Sequence, residues 1–166
     1  MSVRVEHVDG DLLDQRVDAI VNAWNRNIIP WWLLLPQGVS GAIKRRAGTA
    51  PFRELARHGA MPLGTAVVTG AGRLPFAGII HVAGIDMLWT ASETSIRAST
   101  RSAIEAAARH GFGALAMPAI GAGSGRFDEA RSLALIEHEL STLDWPGRVV
   151  LVRFRRARTS ESRGSG

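Results

Sequence analysis

At 166 residues, 46% hydrophobic and 21% charged, the chain has the makeup of one compact globular domain, able to bury about 70% of its unfolded surface without staples. It contains no cysteine, which excludes disulfides, thiolate nucleophiles, zinc–cysteine sites and iron–sulfur clusters. The net charge is +5, but residues 155–166 carry Arg155, Arg156, Arg158 and Arg163 against Glu161, so +3 of it sits in a short tail and the body is nearly balanced. Such a tail reads as a solvated terminus, able at most to add weak, salt-sensitive attraction to polyanions. The opening Met-Ser-Val-Arg-Val-Glu lacks the apolar core of a signal peptide. The longest continuous apolar run, Trp31 to Leu35, falls well short of the roughly 18 residues of a membrane span. The expectation is a cytoplasmic protein that makes no membrane contact.

Strand-like and helix-like segments alternate along the chain. Val3 to Val8, with Val3, Val5 and His7 on one face, predicts an edge or half-buried strand. Ala19 to Ala23 is a short apolar run typical of a buried strand. A helix follows Gly38, with Val39, Ile43 and Ala47 on one side and Gly48 at its end; another runs from near Pro51 to His58 and closes at Gly59. Strands are expected at Thr65–Thr69 and Gly78–Ala83. Thr90-x-x-Glu93 has the form of a capping box ahead of Ile96, Ala103, Ile104, Ala107 and Ala108, with Gly111 as the stop. After a strand at Ala114–Met117, Asp128 opens a helix carrying Leu133, Ile136, Leu140 and Leu143, ended by Trp145-Pro146-Gly147. A last strand covers Val149–Phe154, and the Arg-, Ser- and Gly-rich tail reads as disordered. Strands separated by helices argue for an α/β domain with helices on both faces of the sheet, spanning 1–154, with 155–166 as the tail.

In such sheets the ligand sits at the carboxyl ends of the strands. Three loops fit that position: Val8 to Leu13; Asn22 to Asn25, continued after an insert by Gly38-Val39-Ser40-Gly41; and Gly121 to Phe127. Glycine-rich loops feeding helix N-termini can cradle a diphosphate through backbone N–H groups and the helix dipole. Neither glycine loop is a P-loop or a G-x-G-x-x-G fingerprint. Glycines there can equally serve only a positive φ.

The runs Gly10-Asp11-Leu12, Asp18-Ala19-Ile20-Val21-Asn22-Ala23-Trp24-Asn25, Gly38 to Gly48 (GVSGAIKRRAG) and Pro118-Ala119-Ile120-Gly121-Ala122-Gly123 together resemble the macro domain family, in order and over nearly the whole chain. The resemblance implies a three-layer α/β/α sandwich with a mixed, mostly parallel sheet that binds ADP-ribose or its conjugates, with no cofactor and no metal. It gives Asp11, with Leu12 beside it, the adenine amino group to accept from. Asn25 would contact the distal ribose, and Asn22 would hold its loop through side chain to backbone bonds. Gly38, Val39 and Ser40 on one side, and Gly121, Ala122, Gly123, Ser124, Gly125 and Arg126 on the other, would wrap the diphosphate and distal ribose. Phe127 would pack against that ribose and Phe154 beside the adenine, unless either is ordinary core. Arg126 reads as a bidentate phosphate contact or as a solvent-facing residue.

Two departures from the family bear on activity. Ser40 stands where the hydrolase branch has an aspartate thought to orient water, and Gln37 where the glycohydrolase branch would want an acidic pair. Serine without a partner is a poor general base, and no neighbour in sequence activates it as a nucleophile. Catalysis would then rest on Asn25, Ser40 and the ligand's own diphosphate positioning a water. The other departure is the insert from Arg26 to Gln37, whose Trp31, Trp32 and three leucines should fold over something: its own domain, the ribose pocket as a lid, or a neighbouring subunit. The five histidines lack metal-ligand spacing; His81, inside an apolar run, reads as a core residue, and His110 and His138 as helix-end residues. The expected function is binding of ADP-ribose or an ADP-ribosylated protein or nucleotide, with hydrolysis of the conjugate as an added activity or, alternatively, a reader that does not turn its ligand over. The oligomeric state is left open.

Overall fold

A computed structural model of the chain describes residues 2–27, 30–33, 38–86, 90–123 and 125–155. The strands are β1 (Arg4–Gly10), β2 (Ala19–Trp24), β3 (Ala66–Thr69), β4 (Gly78–Ala83), β5 (Ala114–Pro118) and β6 (Arg148–Phe154). The α-helices are α1 (Gly38–Ala47), α2 (Ala50–Ala56), α3 (Glu93–His110) and α4 (Glu129–Ser141). One 3-10 turn, Leu12–Asp14, follows β1. The six strands form a single sheet in the order β1-β6-β5-β2-β4-β3. Every neighbouring pair is parallel except β3 with β4.

Strict alternation along the central strands builds a core on each face of the sheet. Ala19 and Val21, Ile80 and Val82, Leu115 and Met117, Val149 and Leu151 face α3 and α4 in one cluster. Ile20 and Trp24, Ile79 and Ala83, Ala116, Val150 and Val152 face α1 and α2 in the other. Sheet edge β1 is less regular: Val5 joins the first cluster and Val8 the second, while His7 is exposed and meets Glu137 of α4 at 3.0 Å.

Two helix ends differ from expectation. The cap of α3 is Ser92, not Thr90: Ser92 Oγ accepts from the Ser95 N–H, and Ser95 Oγ from the Ser92 N–H. Thr90 is committed elsewhere, its N–H and hydroxyl both donating to Asp86, so the helix begins two residues later than the Thr-x-x-Glu pattern suggests. Helix α4 stops at Ser141, and Leu143 reaches the core from the following turn. That turn is tight because the Trp145 ring lies where a Cβ on Gly147 would be, 2.1 Å from its nearest atom, so only glycine fits. Among the described residues no helix is long and apolar enough to cross a membrane.

Candidate functional site

The parallel strands all end on one rim of the sheet, and a cavity of about 510 Å³ opens there. Its walls come from the turn after β1 (Asp11, Leu12, Leu13), the first two turns of α1 (Gly38, Val39, Ala42, Arg45), the loop after β5 (Pro118, Ala119, Ala122, Gly123), the start of α4 (Glu129) and the end of β6 (Val152, Phe154). Seven of the residues predicted from sequence therefore line one space: Asp11, Leu12, Gly38, Val39, Ala122, Gly123 and Phe154.

Parallel pairing of β1 with β6 sets Gly10 opposite Phe154, which brings Asp11 and the Phe154 ring to the same end of the cavity. Asp11 caps the 3-10 turn, Oδ1 accepting from the Leu13 N–H at 2.9 Å; its second oxygen takes no hydrogen bond from the described residues. Phe154 is 52% exposed, a flat apolar face left uncovered at a cavity mouth. Around it the wall is tied by ion pairs: Arg153 with Asp9 at 2.9 Å and Arg155 with Glu129 at 3.1 Å. The hydrogen bond from Arg153 holds the Asp9 carboxyl below its usual range and raises the Arg153 guanidinium. The Arg155 N–H continues the ladder to the Gly10 carbonyl, so this tail residue is anchored, while 156–166 lie outside the described residues.

At the other end, Gly38 and Val39 bring the start of α1, whose first N–H groups have no intrahelical acceptor, into the cavity wall. The loop after β5 faces them. Its turn is locked from within: the Phe127 N–H donates to Gly121 O at 2.9 Å and the Ala122 N–H to Ala119 O at 3.1 Å. Gly121 has φ 82° and packs so closely that a Cβ would lie 2.4 Å from the Ala91 Cβ. Gly121 and Gly125 thus serve the loop's shape rather than the cavity wall. Arg126 is exposed, with φ 56°, and is not in the wall. Phe127, too, is withdrawn: it packs on the α3/α4 core with the Arg131 guanidinium over its ring. Ser124 lies outside the described residues.

The two residues proposed for catalysis are not among those lining the cavity. Asn25 is 8% exposed, and its Oδ1 accepts from the Asn27 N–H at 2.7 Å. That turn needs Asn27 left-handed, with φ 57°, and Asn27 is fixed there by donating to the Leu55 and Gly59 carbonyls.

Ser40 Oγ donates to Asn22 Oδ1 at 2.8 Å. Asn22 lies on the α1 face of β2, and its Nδ2 meets His81 Nδ1 of neighbouring β4 at 3.1 Å. His81 Nε2 meets Thr69 Oγ1 of β3 at 2.8 Å, and Thr69 Oγ1 donates to the Gly70 carbonyl. His81 is fully buried, and burial pushes its imidazole down to about 3, so it is neutral. An amide nitrogen only donates, so Nδ1 accepts and Nε2 carries the proton toward Thr69. Every bond runs from Ser40 inward, and the serine's single hydrogen ends on an amide oxygen, which is no base. Asn22 is structural as expected, but through side chains rather than through the backbone.

The insert packs partly on its own domain. Trp31 sits against the α1/α2 core, and its carbonyl accepts from Lys44 Nζ at 2.9 Å. That ammonium lies over the rings of Trp24 and Phe52, where burial lowers its pKa. Trp32 and Leu33 are 67% and 59% exposed. Neither tryptophan lines the cavity; Ile28, Ile29 and 34–37 lie outside the described residues. Sequence reasoning missed Ala42 and Arg45, although they follow Val39 at helical spacing, and Val152, two residues before Phe154 on the same face of β6. It also missed Leu13, Pro118, Ala119 and Glu129.

A family model described as Macro domain matches residues 21–136. A macro domain-containing protein of Streptomyces griseus is 41% identical over 126 residues, covering 72% of this chain and 68% of the relative. A protein of Citrobacter rodentium named O-acetyl-ADP-ribose deacetylase is 32% identical over 149 residues, covering 85% of this chain and 80% of the relative. Among solved structures, a variant of the Oceanobacillus iheyensis macrodomain with ADPR matches with a TM-score of 0.77 at 23% identity, over 89% of this chain and 83% of that one.

Proposed function

The chain belongs to the macro domain family, and from that premise we propose that its cavity takes up ADP-ribose or an ADP-ribose conjugate carried by a protein or nucleotide. The observation that carries this reading is the continuity of one space of about 510 Å³ from Asp11 and Phe154 to the first turn of α1 and the loop after β5. Asp11 offers a carboxylate oxygen to the adenine amino group, and Phe154 offers its ring to the base. The diphosphate lies between the N–H groups at the start of α1 and the backbone of Ala122 and Gly123. The unit that does this is 1–154.

Within this function we assign binding rather than turnover by Ser40 and Asn25. The serine proton is committed to Asn22, the Asn25 oxygen to Asn27, and neither side chain is in the cavity wall. The deacetylase relative keeps hydrolysis as the second reading, by residues other than these two.

Calorimetric titration with ADP-ribose beside ribose 5-phosphate tests the assignment. We expect micromolar affinity, about −8 kcal/mol, for ADP-ribose alone, and at least a tenfold loss in Asp11→Asn, whose amide can turn a donor toward the base amino group. Absence of ADP-ribose binding by the wild-type protein would refute it.

A further inference from the structure

Lys44, Arg45 and Arg46 follow one another in α1, and two of the three have structural partners. Lys44 holds the Trp31 carbonyl, and Arg46 pairs with Asp14 at 3.5 Å. Arg45 is exposed, makes no hydrogen bond or ion pair with any described residue, and lines the cavity. Neither acid in the wall pairs with it: Glu129 is paired with Arg155, and Asp11 makes no ion pair with any described residue.

Arg45 sits at one particular end of the space. Val39, Ala42 and Arg45 make a single stripe on α1, and Arg45 lies seven residues beyond Gly38, about 10 Å along the axis from the open helix N-terminus. The Asp14–Arg46 pair lays the 3-10 turn alongside this half of α1, next to Asp11, Leu12 and Leu13. Arg45 therefore belongs to the end where the proposed function puts adenosine, about 10 Å from where it puts the diphosphate. An adenosine seated there with its 5′ carbon toward the helix N-terminus has two ribose hydroxyls left, at 2′ and 3′.

We infer that Arg45 is a binding residue for a phosphate ester on the adenosine ribose, so that this cavity prefers adenine nucleotides bearing a 2′ or 3′ phosphate over those with free hydroxyls. A guanidinium presents a planar fork of donors that matches two phosphate oxygens at once. A cation without a partner among the described residues, in the same cavity wall as the Phe154 ring, provides that recognition. This inference rests on the ADP-ribose reading of the same site.

The test is a calorimetric comparison of 5′-AMP, 2′,5′-ADP and 3′,5′-ADP, with ADP-ribose as reference, on the wild-type protein, Arg45→Gln and Arg45→Lys. One of the two bisphosphates should bind about fivefold tighter than 5′-AMP at low salt, as one exposed charge pair allows, and the stronger isomer identifies the hydroxyl. The ratio should fall to near one in Arg45→Gln, survive in part in Arg45→Lys, and shrink with added salt. A ratio near one in the wild-type protein, with ADP-ribose still bound, overturns this inference alone. A ratio that persists in Arg45→Gln also overturns it, because general attraction to a cationic protein would then be its source. Failure of every ligand, ADP-ribose included, overturns the proposed function and this inference with it. Because Arg45 is exposed and has no partner among the described residues, matching melting temperatures are expected for the three proteins.

Discussion

Ser40 Oγ and Asn22 Oδ1 are 2.8 Å apart, and this one bond makes Ser40 an anchor between α1 and the sheet. Ser40→Ala leaves a buried amide oxygen without a donor, so we expect a loss of about 1–2 kcal/mol in denaturant unfolding. ADP-ribose affinity should move by less than about threefold, since the hydroxyl is outside the cavity wall. Unchanged stability with lost affinity would contradict this account of Ser40.

Phe154 and Phe127 are expected to respond in opposite ways. Phe154→Ala removes a ring that is 52% exposed at the cavity mouth, so ADP-ribose affinity should fall about tenfold through lost base stacking, with little change in melting temperature. Phe127→Ala takes a ring out of the α3/α4 core and should cost about 2 kcal/mol of stability. Titration and thermal melts on both variants measure the contrast.

His81 makes stability depend on pH. Unfolded, the imidazole takes a proton near its ordinary value of 6.5; folded, burial keeps it neutral down to about 3. Between those values the unfolded state binds more protons, so stability should fall as the pH drops, by at most about 1.4 kcal/mol per pH unit. Unfolding midpoints measured from pH 7 to 4 should show this slope, and His81→Gln should reduce it. An equal slope in the variant would place its origin elsewhere.

Among the described residues two that are not glycine adopt left-handed backbone, Asn27 with φ 57° and Arg126 with φ 56°. Asn27 is held by the Leu55 and Gly59 carbonyls, so Asn27→Ala should destabilise by about 2 kcal/mol. The Arg126 side chain has no partner among the described residues, and its N–H bond to the Gly123 carbonyl survives in glycine, so Arg126→Gly should stabilise by about 0.5–1 kcal/mol. Chemical denaturation of both variants checks the two signs.

The layering, the strand positions and the cavity rim are legible in the chain because each is written in local periodicity. Apolar runs of strand length, helical stripes and glycine-rich turns need no knowledge of distant partners. The direction of individual polar side chains does. Ser40 turns inward because Asn22 and His81, 59 residues apart, meet across β2 and β4, and nothing near Ser40 announces that meeting. Asn25 is different: its bond to the residue two positions on is a local Asx turn, and Asn-Arg-Asn carries that signal. Thr90 misleads because Asp86, four residues earlier, competes for the groups a capping box would use. Arg45 escaped notice within a run of three cations whose separate partners only the fold distinguishes.

The parallel pairing of β1 with β6 joins segments as far apart as Asp9 and Arg153, 144 positions distant. During synthesis from the N-terminus, β1 waits without its sheet neighbour β6 until that strand has emerged, so Asp11 and Phe154 come together among the last events of folding. A nucleotide gripping both would act as a clasp on the seam between the two ends of the domain. Proteolytic nicking near β6 and hydrogen exchange in β1 should therefore slow together when the cavity is filled.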